Sequence, residues 1–385
     1  MIRAALIALT LALPAAAQTP MERSMGALIE RLEEDLDGIA ETLRGRESAP
    51  DTAFLGRDKA DYTERLNGYL DEAFGLVAPD LHDEYRRRLD VIEESIAEGD
   101  AVRPGLMIDR LSAPEEGSGP TLMDRALGRE HARGSRQEID QQIDEIDRAR
   151  AALVAERDAL IAEFAGRLNA EYGLDVTSEQ ARAALTQVDG AMMVEAAIAM
   201  QVLGAMEQRL REITEGGLDP AVANRYYGVA AISRLLVARM YERHLQDYDE
   251  TWLPRLAEMR AAHDRLMADT RSKMRAADGS LRRQYQANLA VQERVLAALR
   301  AYGDVLARQR AATAEGLGGA VERADLALNT LRTLESAVVL SDVMNETLGE
   351  FEALTGLGMA PLLPLDDEEV FEQYLGISRQ LEAGS

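Results

Sequence analysis

The chain contains no cysteine. Disulfide scaffolds, thiol nucleophiles and cysteine-held zinc or iron–sulfur centres are therefore excluded. Aromatic residues amount to 4% of 385, and proline occurs only 11 times. Strand-like runs of Val, Ile, Tyr and Phe are missing. Neither the G-x-x-x-x-G-K-[ST] phosphate loop nor G-x-G-x-x-G occurs, which removes the common nucleotide-binding fingerprints. H-E-x-x-H, G-x-S-x-G and S-x-x-K are absent as well, so zinc-protease and serine-hydrolase chemistry has no anchor. Lysine is nearly absent: of 43 basic residues only Lys59 and Lys273 are not Arg.

What is present is acid and helix-forming residues. Asp and Glu number 68 against those 43 basic residues, a formal net charge of -25. That balance opposes binding to nucleic acid or to an anionic membrane. Hydrophobic residues at 46% suffice for a buried core, which argues against global disorder.

The first 17 residues, MIRAALIALTLALPAAA, read as a secretory signal peptide. Arg3 supplies the positive start, Ala4 to Leu13 the apolar centre, Pro14 the break and Ala15-Ala16-Ala17 the small-residue cleavage site. The apolar centre is too short to cross a bilayer, which takes about 20 apolar residues. No Cys follows for lipid attachment. The expectation is an exported chain beginning near Gln18, periplasmic if the host is Gram-negative.

The rest reads as helix almost throughout, rich in Ala, Leu, Glu, Arg, Met and Gln. Leu28, Leu32, Leu36, Ile39 and Leu43 form one stripe over 24–44 at steps of three and four. Helices are expected over 58–74 and from Leu81 through Ile96. Gly and Pro breaks over 99–120 suggest a hinge. Gln137 to Tyr172 carries a heptad-like coiled-coil rail of Ile139, Ile143, Ile146, Leu153, Leu160 and Phe164. Arg150 and Arg157 fall near that rail and spoil a two-stranded zipper, so its partner is expected within the same chain. Thr177 with Gln180 forms a capping box.

Val188 to Met206 is the most apolar internal stretch. Asp189, Glu195, Gln201 and Glu207 make a membrane span expensive. A buried bundle helix with its polar groups turned outward is the preferred reading. Further helices are expected over 224–250, from Pro254, and on either side of an Asp278-Gly279 turn. Glu315 to Gly319 (EGLGG) reads as a turn, Val321 to Leu354 as a long helix, 361–364 as a break, and the end as a short helix with Val370, Phe371, Tyr374 and Leu375.

The fold class implied is all-α: an elongated bundle of long antiparallel helices. Its divisions would be a signal peptide (1–17), an N-terminal helical subdomain (18–100), an irregular linker (101–133), a long-helix bundle (134–358) and a C-terminal tail with a short helix (359–385).

Candidate chemistry is sparse. His82, His131, His244 and His263 are the only histidines. Glu242, His244, Asp247, Asp249 and Glu250 are dense, but a catalytic zinc takes three protein ligands, and solvated charges beside a satisfied His explain the group better. No catalytic residue, cofactor or metal is assigned. Two groups stand out for recognition. Arg225, Tyr226, Tyr227, Arg234, Tyr241, Tyr248 and Trp252 are the residue types that carry binding hot spots, although a core cluster covered by Arg stems is the favoured reading. Arg271, Lys273, Arg275, Arg282 and Arg283 crowd the Asp278-Gly279 turn. Residues 22–100 hold 22 acidic and 10 basic side chains, whereas 251–310 hold 6 and 12. The turn would thus be a cationic tip on an anionic protein, docking an acidic partner or a phosphate-bearing envelope surface, or, as the preferred reading, neutralising the acidic N-terminal helices.

These readings favour an exported, non-enzymatic adaptor or scaffold of the cell envelope acting through a protein partner. They include no nucleic acid and no stable membrane insertion, and they leave the oligomeric state open. A membrane-active or pore-forming protein and a metal-dependent or glycan-active enzyme are the alternatives.

Overall fold

In the computed structural model the protein is all-α, with no strand among the described residues. The structure describes residues 19–53, 56–77, 81–113, 135–214, 220–336 and 368–382. The signal segment, the chain over 114–134, the 337–354 part of the helix expected from Val321 to Leu354 and the break at 361–364 lie outside them. Contacts divide the chain into two compact units, one of residues up to 79 together with 167 onward, the other of 80–166.

The first unit begins with α1 (Pro20–Ser48). Thr19 caps it: its hydroxyl accepts from the Glu22 amide while Glu22 accepts from the Thr19 amide, and Pro20 sits where a missing N–H costs nothing. Leu28, Leu32 and Ile39 of the expected stripe are buried. α2 (Lys59–Gly75), boxed by Asp58 and Asp61, packs on α1. α5 (Ser178–Thr186) starts at the expected Thr177–Gln180 box and meets α6 (Gly190–Thr214).

The spine of this unit is one long antiparallel hairpin. α7 (Pro220–Gln246) runs through a π-turn (Asp247–Trp252) into α8 (Leu253–Ala276), and α9 (Gly279–Ser336) returns beside them over 58 residues. Contacts mark the register: Leu256 against Gly303 and Tyr241 against Gly316, with Ala231 near Ala327 and Leu328. The Asp278-Gly279 turn is as expected, with Gly279 at φ +56°, a conformation Gly adopts freely. α10 (Glu368–Glu382) lies on α9 and α5 and buries Phe371, Tyr374 and Leu375.

Pro254 sits in the first turn of α8, as expected, and the π-turn leads into that helix without a loop. One expected break is not a break: the EGLGG segment is helical. A helix interior tolerates Gly at about 1 kcal/mol each, and here Gly316 has a use. A Cβ there would stand 2.7 Å from the Tyr241 ring, so only Gly lets that ring lie on the backbone.

The second unit is a helical pair, α3 (Leu81–Ser112) and the part of α4 (Arg136–Tyr172) up to Gly166. Tyr85 lies on Phe164 at 5.0 Å and donates to Glu163 at 2.6 Å. Residues 101–112, expected to open an irregular linker, continue α3 straight through Gly99, Pro104 and Gly105. Ion pairs across the seam brace that continuation: Arg150 with Asp100, Arg103 with Asp147 and Arg110 with Asp140. Arg157, which disturbs the heptad rail, is buried against Glu93 at 3.4 Å. The partner of the α4 rail is thus α3 of the same chain.

Candidate functional site

The Tyr/Arg group is core, not surface. Tyr226, Tyr227, Arg234 and Tyr248 are buried, and Arg225, Tyr241 and Trp252 are half-buried. The reason is the position of α7, which is contacted by α1, α2, α6 and α9. A helix covered on several sides shows no distinctive stripe, so sequence cannot separate it from a binding face. Burial pushes the Tyr227 phenol up to about 12. Arg234 meets Glu207 at 3.3 Å with both side chains buried, and Arg239 grips Asp71 through two bonds of 3.0 and 2.9 Å.

The apolar stretch forms α6, with Met192, Met193, Ile198, Val202, Leu203 and Met206 buried. Gly190–Leu210 is the one described segment long and apolar enough to cross a membrane, and it lies largely inside the bundle. Its acids depart from expectation: Asp189 and Glu207 face inward. Each has a partner in the core, Tyr248 for Asp189 and Arg234 for Glu207, which offsets part of the cost of turning it away from water.

Asp189 is the centre of a buried polar junction that sequence reasoning missed. It sits where α5 turns into α6, and its carbonyl accepts the first bond of α6 from Met193. The turn is tight: a Cβ on Gly190 would fall 1.6 Å from the Ala184 carbonyl oxygen. The Asp189 carboxyl accepts from the Tyr248 hydroxyl at 2.6 Å. Burial drives its pKa up to about 6, against the pull of that bond and of its own backbone amide. Burial and the facing carboxyl push the Tyr248 phenol up in turn. The π-turn makes this reach possible. It sends Tyr248 inward while its neighbour Asp249 takes Arg310 through two bonds of 2.7 Å outside.

The neighbours of Asp189 are tied in the same way. The Val188 amide donates to the Tyr302 hydroxyl at 2.9 Å, and that hydroxyl shares a bond of 2.7 Å with Ser378. Gln309 donates to Gln187 at 3.1 Å. The α5–α6 turn, the π-turn, α9 and α10 are thus fastened at one place. The Asp189 Oδ1, Gln187 Nε2 and Gln309 Oε1 atoms make no hydrogen bond among the described residues. These bonds fasten the surrounding helices to one another.

The histidines that sequence singled out are dispersed. His244 is buried and held neutral, its pKa lowered to about 3 by burial and by Arg243. His263 donates Nε2–H to the Gln292 carbonyl at 2.8 Å. His82 stacks edge-on at 6.4 Å from Phe164, and His131 lies outside the described residues. Among the described residues no three His, Asp or Glu side chains are placed to hold a metal ion. A groove of about 460 Å³ runs beside His263, floored by Met259, Leu266, Val295, Leu299 and Ile377.

The cationic residues do converge. Arg271, Lys273, Arg275, Arg282 and Arg283 are all exposed around the hairpin turn. Arg271 faces Glu293 at 3.5 Å and Lys273 faces Asp269 at 2.7 Å. Arg275, Arg282 and Arg283 make no ion pair among the described residues. They do not neutralise the acidic α1: Leu36 of α1 packs on Gly228 of α7. From there to Ala277 the chain is continuously helical, about 70 Å at 1.5 Å per residue.

The chain matches no protein-family model, no curated protein and no solved structure.

Proposed function

We propose that the protein is an exported, non-enzymatic helical scaffold of the cell envelope that engages a protein partner through its hairpin end. The observation that carries this reading is the exposed set of Arg275, Arg282 and Arg283, left without an ion-pair partner at the end of a long helical hairpin. Unpaired cations at the tip of an anionic molecule favour an acidic surface and repel a basic one. Export is supported by the residue pattern of 1–17, with the periplasm as the address in a Gram-negative host. The buried chemistry adds support: Asp189, Tyr248, Tyr302 and Ser378 are spent on fastening helices to one another.

The test has two arms. Fractionation of cells making the native chain should place a shortened form outside the cytoplasm, and an uncut cytoplasmic chain would overturn export. Cross-linking in that compartment should capture a partner with wild type and lose it with R282E/R283E at unchanged helicity. A partner retained in full by the variant would remove the hairpin end from the reading.

The apolar character of Gly190–Leu210 keeps one second reading in play, a membrane-active protein in which α6 leaves the bundle. Dye release from liposomes across pH and lipid composition decides it, and intact liposomes throughout would end it.

A further inference from the structure

The reading of the hairpin end as a contact surface leaves the partner's chemistry open, and the same chain carries the complement. Glu30, Glu34, Asp37 and Glu41 follow one another at steps of four, three and four along α1, so they share one helix face. All four are exposed, and none makes an ion pair among the described residues. The opposite face of α1 supplies Leu28, Leu32 and Ile39 to the core, which holds the acidic face toward solvent. Elsewhere on α1 the carboxylates are engaged: Asp35 with Arg31, and Glu47 with Arg332. The stripe is about 17 Å long at the helical rise.

The hairpin end has the opposite character on a comparable scale. Arg275 closes α8, and Arg282 and Arg283 lie in the first turn and a half of α9. Neither surface can satisfy the other within one molecule. Leu36, which lies between the acids of the stripe, packs on Gly228, and the helical path from there to the hairpin turn is about 70 Å.

We infer that the cationic hairpin end of one copy docks on the acidic face of α1 in a second copy, joining copies head to tail. Such a contact is heterologous. Each copy offers one end and one stripe, so association continues into a chain or closes into a ring. This deepens the scaffold reading and rests on its assignment of the hairpin end as a contact surface. The net charge of -25 makes copies repel at long range. The contact therefore forms best where salt screens distant charge but not close pairs, near physiological ionic strength, with a Debye length of about 8 Å.

Sedimentation velocity of the mature chain tests this. Wild type should self-associate at about 0.15 M salt, with the association constant falling at least about tenfold toward 1 M, where the Debye length is about 3 Å. R282E/R283E alone should abolish association, and so should E34R/D37R alone. The protein carrying all four changes should associate again, because the charges are exchanged rather than removed. Circular dichroism confirms helicity for each, and R282Q/R283Q serves if reversal disturbs folding. The lack of native Cys allows a direct check: S280C mixed with D37C should give a mixed disulfide dimer, whereas S280C mixed with D325C should not. A wild type that stays monomeric, or four changes that fail to restore association, overturns the inference. If a monomeric wild type still captures an envelope partner through Arg282 and Arg283, the scaffold reading stands with a foreign acidic protein as its partner, and this inference falls alone. If copies associate as described but no foreign partner depends on those arginines, the head-to-tail contact stands and the adaptor role falls.

Discussion

The two ends of the α8–α9 hairpin handle polar groups in opposite ways. Where the hairpin emerges from the bundle, Asp189, Tyr248, Tyr302, Ser378, Gln187 and Gln309 are all buried or nearly so and bonded to one another. At the turn, Arg275, Arg282 and Arg283 stand in water without an ion-pair partner. A small seam of Met267, Leu289 and Leu296 with Met274 holds the two strands of helix together there. Buried polar groups must be paired because nothing else compensates their lost hydration, and exposed ones need no partner because water serves. The stability of this protein is therefore expected to be sensitive at the bundle end and insensitive at the turn.

The strongest way to break that contrast is at the buried pair beneath α7. Arg234→Met should cost about 3–5 kcal/mol by leaving Glu207 without its cation, read by urea unfolding. Replacing Glu207 and Arg234 together by Met should cost clearly less than the single change, because no charge is then stranded. Equal losses would deny the pair its role.

Next comes the tight turn. Gly190→Ala places a methyl on the Ala184 carbonyl and should lower stability by roughly 2–3 kcal/mol, seen as a lower Tm. An unchanged Tm would mean that the turn is open.

The pH dependence of the junction separates two buried groups by sign. Asp189 titrates near 6 in the fold against 3.8 in the unfolded chain. The unfolded chain loses the proton first, so its contribution is present below about 3.8 and lost as pH rises through 6. His244 titrates near 3 against 6.5. Its contribution is present above 6.5 and lost as pH falls toward 3. Asp189→Asn should therefore raise stability at pH 7.5 by about 1–3 kcal/mol and remove the decline between pH 4 and 6. His244→Gln should instead flatten the acid limb. Unfolding titrations of both variants across pH 3–8 check the two signs, and a shared sign would show that burial does not govern them.

The smallest effect is expected at the turn. R282E/R283E should leave stability within about 0.5 kcal/mol of wild type. A larger loss would show that the hairpin end is part of the fold and not a free surface.

Much of the helical pattern is legible in the residues themselves. The α1 stripe, the Thr177–Gln180 cap, the Asp278-Gly279 turn and the apolar C-terminal helix follow from periodicity and capping chemistry, which act over a few residues. The errors share a cause. Gly316, Gly318 and Gly319 read as a turn, yet a ring from Tyr241, far back along the chain, needs the bare backbone at Gly316. Pro104 and its flanking glycines read as a hinge, yet ion pairs to α4 carry α3 past them. The Tyr/Arg group, by contrast, carries both a patch reading and the favoured core reading, because hot-spot composition and core composition are alike until neighbours are known.

The junction was legible only in fragments. Asp189 stood out as a charge inside an apolar stretch, and nothing near it hinted at Tyr248, Tyr302 or Ser378, whose bonds span 59 to 114 residues. By contrast, the cationic cluster lies on either side of one turn, so local spacing sufficed to bring it together.

The residues alone determined that the chain is helical, acidic and without cysteine chemistry, since propensity, charge and composition are additive along a sequence. Only the folded arrangement decided which helices run on, which acids turn inward and which arginines lack a partner. Those outcomes depend on the surroundings a side chain meets across long stretches of chain, and burial, not residue type, sets whether a charge must be paired.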